Sequence, residues 1–104
     1  MMKPVRPDPE AETEITHEIR FYERESAGLG DELWSEIQHT VQLISEHPLI
    51  GGIVPRVQLT PLVRRIRLRR FPFYLVYREF DDEIELVALA PMRKRPRYWH
   101  TRLE

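Results

Sequence analysis

The feature that most constrains this chain is a change of hydrophobic period at Gly51-Gly52, where the charge also reverses sign. Ahead of it, apolar residues recur at helical spacing among glutamates; behind it, apolar residues alternate with arginines as in a strand. Residues 1–50 carry 4 basic and 11 acidic side chains and residues 51–104 carry 12 and 6, so the formal charge of -1 is the difference between a half near -7 and a half near +6. A chain with helical pattern first and strand pattern second belongs in the α+β class, with helices packed on an antiparallel sheet.

In the first half, Asp8-Pro9-Glu10 has the order of a helix start: a capping carboxylate, a proline at the first helical position, then an acid in the first turn. Ala11, Ile15, Ile19 and Tyr22 form one narrow apolar stripe. Gly28-Leu29-Gly30 suits a left-handed cap and a short reversal. A second helix is expected from about residue 30 to Glu46, with Leu33, Ile37, Val41 and Ile44 as its stripe and Trp34 beside it. His47-Pro48 closes it, because proline disfavours a helical conformation at the residue before it. So short a link makes the two helices antiparallel.

In the second half, Leu62, Arg64, Ile66 and Leu68 alternate with Val63, Arg65, Arg67 and Arg69, so the second set is expected to present guanidinium groups on one face. Phe73 to Phe80 and Ile84 to Ala90 read as two further strands, separated by Asp81-Asp82 and preceded by the Phe71-Pro72 turn. The expected architecture is an N-terminal helical hairpin packed on a three-stranded antiparallel meander. Lys3 to Arg6 is a candidate for a further strand, which Pro4 and Pro7 would confine to an edge. The tail from Arg97 to Glu104 either packs back or extends.

The 104 residues suffice for one domain spanning the chain, 1–104. With no cysteine, disulfides, thiolate metal sites and cysteine nucleophiles are excluded. His17, His39, His47 and His100 have no metal-ligand spacing, and no phosphate-binding glycine loop is present, so neither metal nor cofactor is expected. The polar, proline-containing N-terminus does not resemble a signal peptide, and no apolar run reaches the roughly 18 residues of a membrane span; the expected location is the cytoplasm.

Five stretches together resemble the RelE/ParE superfamily of type II toxin-antitoxin modules, sometimes called plasmid stabilisation proteins, on its ParE-like side. They are Pro9-Glu10-Ala11-Glu12; Phe21-Tyr22 with Gly28-Leu29-Gly30; His47-Pro48; Val63-Arg64-Arg65 through Arg70-Phe71-Pro72 with Tyr77-Arg78; and Arg93, Pro96, Tyr98 and Trp99. The resemblance implies a toxin that inhibits growth through a cellular target, DNA gyrase or the ribosome-bound message. It also implies a cognate antitoxin of ribbon-helix-helix type with an acidic disordered tail, and higher-order toxin-antitoxin assembly.

For the ribonuclease branch, the resemblance points to Arg65, Arg67, Arg93 and Tyr98 as catalytic candidates. Tyr74 stands where the family has an arginine, and Pro91 where many relatives have a histidine. Arginine stabilises charge but cannot take up a proton at neutral pH. The set is therefore short of a general base, and inhibition by binding is favoured over catalysis. For an antitoxin or target, the expected surface is Arg64, Arg65, Arg67, Arg69, Arg93, Tyr98 and Trp99. Three functions compete: a gyrase-binding toxin, a ribosome-dependent endoribonuclease, and an inactive relative that keeps only antitoxin binding.

Overall fold

The computed structural model describes residues 2–103. The elements are β1 (Val5–Pro7), α1 (Pro9–Glu25), α2 (Leu29–Glu46), β2 (Gly52–Ile53), β3 (Val63–Arg67), β4 (Phe73–Glu79), β5 (Ile84–Pro91) and a 3-10 turn at His100–Leu103. The helical hairpin packs on one sheet of order β1-β5-β4-β3-β2. This is the expected α+β class, but the sheet has five strands rather than three. The meander is β3-β4-β5, antiparallel throughout, and β2 adds two residues against β3. At the other edge β1 runs parallel to β5, with Val5 opposite Ile84 and Pro7 opposite Leu86. Prolines are tolerated there because an edge strand has donors to spare on its outer side.

The hairpin turns as its glycines require. Gly28 has φ 90, a left-handed conformation that a side chain would strain. The Glu23 carboxylate accepts the N–H groups of Gly28 at 2.9 Å and of Gly30 at 3.0 Å, so the exposed donors at the start of α2 are capped from α1. A Cβ on Gly30 would lie 2.6 Å from the carbonyl of Ile19, so the helices meet this closely only without one. Asp8 stands at the N-cap of α1, yet its carboxylate does not cap the helix. It takes the Arg6 Nη1 donor at 2.9 Å instead, because β1 delivers that guanidinium beside it.

The sheet is covered on both faces. On one, Ala11, Ile15, Leu33, Ile37 and Ile44 of the helices bury Leu68, Phe73, Leu75, Tyr77 and Leu86. Tyr22 closes the end of this core edge-on to Phe71, with ring centroids 5.1 Å apart. On the other face a second core of Val54, Val57, Val63, Val76, Val87 and Ala88 lies under Trp99. The tail therefore packs back as far as Leu103, and Glu104 lies outside the described residues. The apolar run over residues 86–90 of β5 follows from its two-sided burial, since a strand covered on both faces has no polar alternation. Val87 is an extra residue: the register between β4 and β5 shifts so that Val76 faces Ala88 while Tyr77 faces Leu86.

Candidate functional site

The arginines of β3 divide between the two faces of the sheet. Arg65 pairs with Val76 and Arg67 with Tyr74, on the face away from the helices, while Arg64 pairs with Tyr77 on the helical face. There the Arg64 Nη1 donates to the Gly51 carbonyl at 2.9 Å. Arg69 does not continue the row expected of it. The ladder stops at Arg67, and Glu36 of α2 accepts the backbone N–H groups of Arg69 and Arg70, drawing the chain toward the helix. Both side chains open into a hollow shared with Asp31, Glu32, Ser35, Glu36 and His39.

Arg65 lies over the Tyr74 ring, 4.4 Å from its centroid, a stacking that leaves its charge exposed to a ligand. The two residues form the floor of a shallow cleft on the non-helical face, together with Val76 and Ala90, and the segment from Pro91 to Trp99 walls it. That segment brings Lys94, Arg95 and Arg97 to the same cleft. Among the described residues, Arg65, Arg67, Lys94, Arg95 and Arg97 have no carboxylate partner, whereas Lys3, Arg6, Arg70, Arg78 and Arg102 do. Among these described residues no carboxylate lines the cleft. Arg97 takes a left-handed backbone conformation, φ 62, uncommon for a residue with a side chain.

The remaining sequence candidates, Arg93, Tyr98 and Trp99, sit in three different settings. Arg93 is on the far side of the wall, in a hollow with Thr13, Glu14, His17 and Glu18 of α1. Tyr98 borders the cleft but points its hydroxyl at Glu14, donating to Oε2 at 2.6 Å. Burial first, and the Glu14 carboxylate second, push its phenol far above the ordinary tyrosine range, so it stays a proton donor. Trp99 is 3% exposed and belongs to the second core.

Chemically the cleft is a field of fixed positive charge with an aromatic floor. Its polar lining side chains are arginine, lysine and tyrosine, and among the described residues no histidine, aspartate or glutamate lines it. Among the described residues no group of three or more histidine, aspartate or glutamate side chains could hold a metal ion. Lys94, Arg95 and Arg97 were missed in the sequence, although the run Arg93-Lys94-Arg95-Pro96-Arg97 marks a charged turn.

A helical hairpin on a five-stranded sheet, with Arg65, Lys94, Arg95 and Arg97 gathered on the opposite face, defines a small α+β protein with one cationic face. The family model described as "ParE toxin of type II toxin-antitoxin system, parDE" matches residues 5–96, and the chain belongs to that family. Among solved structures, one titled "Chromosomal ParDE TA system from P. aeruginosa" is similar with a TM-score of 0.69 and 17% identity, covering 88% of this chain and 98% of that one. That likeness shows the shared fold. A search of curated proteins finds no match. Membership in a parDE-type family implies an antitoxin partner. Among the described residues no helix is long and apolar enough to cross a membrane.

Proposed function

We propose that this chain is a toxin that inhibits growth by binding a cellular target, DNA gyrase, and that an antitoxin with an acidic disordered segment neutralises it by occupying the same cationic surface. The carrying observation is the composition of the cleft. Among the described residues, Arg65, Lys94, Arg95 and Arg97 converge there, and no carboxylate or histidine lines the cleft. Such a site attracts acidic groups and does not supply the proton transfer that cleavage of a phosphodiester requires.

An antitoxin segment that folds on binding has apolar surface available as well. Trp34 is 43% exposed on α2, beside hollows lined by Val5, Pro7, Ile15 and Ile19. An amphipathic acidic segment can seat its apolar side chains along the hairpin and its carboxylates on the arginines, gaining specificity from the charge pairing. The test is the double substitution Arg65→Glu with Arg67→Glu. It is expected to abolish both antitoxin binding and growth inhibition. If the double variant still co-purifies with the antitoxin at wild-type yield, the binding surface lies elsewhere.

A further inference from the structure

The strand edge that β1 leaves uncovered is closed by side chains. β1 covers β5 only as far as Leu86, whose carbonyl accepts the Asp8 N–H at 2.9 Å before the chain turns into α1. Beyond that point the Val87 carbonyl and the Leu89 N–H face outward with no strand beside them. An open edge of this kind leaves backbone groups unpaired and invites pairing with other chains. Here Glu14, one turn into α1, reaches over the edge. Its Oε1 accepts the Leu89 N–H at 3.1 Å and Arg102 Nη1 at 3.1 Å, and its Oε2 accepts the Tyr98 hydroxyl at 2.6 Å and Arg102 Nη2 at 2.9 Å. Arg102 Nη1 also donates to the Val87 carbonyl at 3.1 Å. One carboxylate thus collects four donors, three of them from the tail.

We propose that Glu14 is the positioning residue of the cationic cleft: from the helical layer it clamps Tyr98 and Arg102 to the edge of β5, and so fixes the wall that carries Lys94, Arg95 and Arg97. The inference rests on the reading of the cleft as the binding surface. Glu14 itself is not part of the cleft lining, and a partner seated there need not touch it. Its effect passes through Tyr98 and Trp99, which line the cleft from one side while Trp99 is buried in the second core. The clamp is well made for this. The side chains of Arg102 and Glu14 are only 18% and 19% exposed, so their paired, charge-assisted bonds are little weakened by solvent. Lys94 and Arg102 further hold the Tyr98 ring, at 4.6 Å and 5.3 Å from its centroid.

The test uses the full chain carrying Glu14→Gln, which keeps length and helix propensity but loses the charge and an acceptor. Hydrogen exchange of residues 97–103 and of the Leu89 amide is measured beside affinity for a labelled oligoglutamate peptide. The expected result is exchange about tenfold faster at those positions, unchanged exchange in α2 and β4, and affinity about tenfold weaker. Combining Glu14→Gln with Arg102→Met is expected to add little to either single substitution, because both break one clamp. If Glu14→Gln compromises folding, Tyr98→Phe with Arg102→Met severs the same clamp from the tail side, with the same expected result. Tail protection like that of the parent overturns the proposal, and so does a freed tail with unchanged affinity. Should the parent's affinity not depend on Arg65 and Arg67, the reading of the cleft as the binding surface falls, while the exchange measurement still decides whether Glu14 holds the tail.

Discussion

Removing the hydroxyl of Tyr77 is expected to destabilise the domain out of proportion to one oxygen atom. Tyr77 is fully buried on the helical face of β4, and its hydroxyl is the joint between that strand and the link that follows α2. It accepts the Gly51 N–H at 2.9 Å and donates to the Pro48 carbonyl at 2.8 Å. Tyr77→Phe leaves both backbone groups without that partner, and Gly51 is buried, so water cannot readily replace the bond to its N–H. The unmet donor and acceptor together predict a loss of about 2 kcal/mol, or a fall in Tm of roughly 8–15 °C for a domain of this size. Urea unfolding with an unchanged m-value measures it, and Tyr74→Phe on the cleft floor serves as the control, with an expected effect within about 0.5 kcal/mol. Gly51→Ala probes the same joint from the other side. Its Cβ would sit 2.7 Å from the Tyr77 hydroxyl and 2.9 Å from the Arg65 carbonyl, so it should cost about 2–3 kcal/mol, and adding Tyr77→Phe should relieve it only in part because the carbonyl remains. A Tyr77→Phe protein as stable as its parent would refute the argument that this hydroxyl holds β2 in place.

Two further substitutions test other parts of the fold. Asp8 is buried beside Glu85, and burial first, with the Glu85 carboxyl second, raises its pKa above the ordinary 3.8 despite Arg6 acting in the opposite sense. An acid whose folded pKa is raised holds its proton more tightly when folded, so its contribution is present in acid and is lost as pH rises through that pKa. Asp8→Asn, which keeps a good N-cap residue, should therefore gain stability relative to the parent as pH rises from 4 to 7 in denaturant titrations; a parent that gains stability relative to the variant over that range contradicts the assignment. Trp99→Ala should cost about 3–5 kcal/mol in urea unfolding and free residues 97–103 to hydrogen exchange, since it empties the cover of the second core.

The sequence carried the helices and the meander clearly, because their signals are local: stripes at helical spacing, a proline at the start of α1, glycines at the hairpin, and alternating strands. What escaped it depends on distant contacts. β2 is two residues long and is held by a tyrosine 26 positions away, so it leaves no period to detect. The tail is fixed by bonds between residues 84 and 88 positions apart, which is why Arg97 to Glu104 had two open readings. At the site, alternation placed Arg65 and Arg67 together correctly, but extended the row to Arg69 because nothing local announces that Glu36 draws that residue toward α2. Arg97 reaches the cleft through a left-handed backbone turn that an arginine rarely adopts, and no sequence rule anticipates it.

A member of the ParE toxin family that acts by occupying a target, as proposed above, performs no cleavage. Induced expression of the wild-type chain in cells, without its antitoxin, tests it most directly, with DNA-damage signalling and message integrity followed together. The expected result is arrested growth with an SOS response and full-length messages. Arrest with messages cut at codons and no SOS response would contradict it.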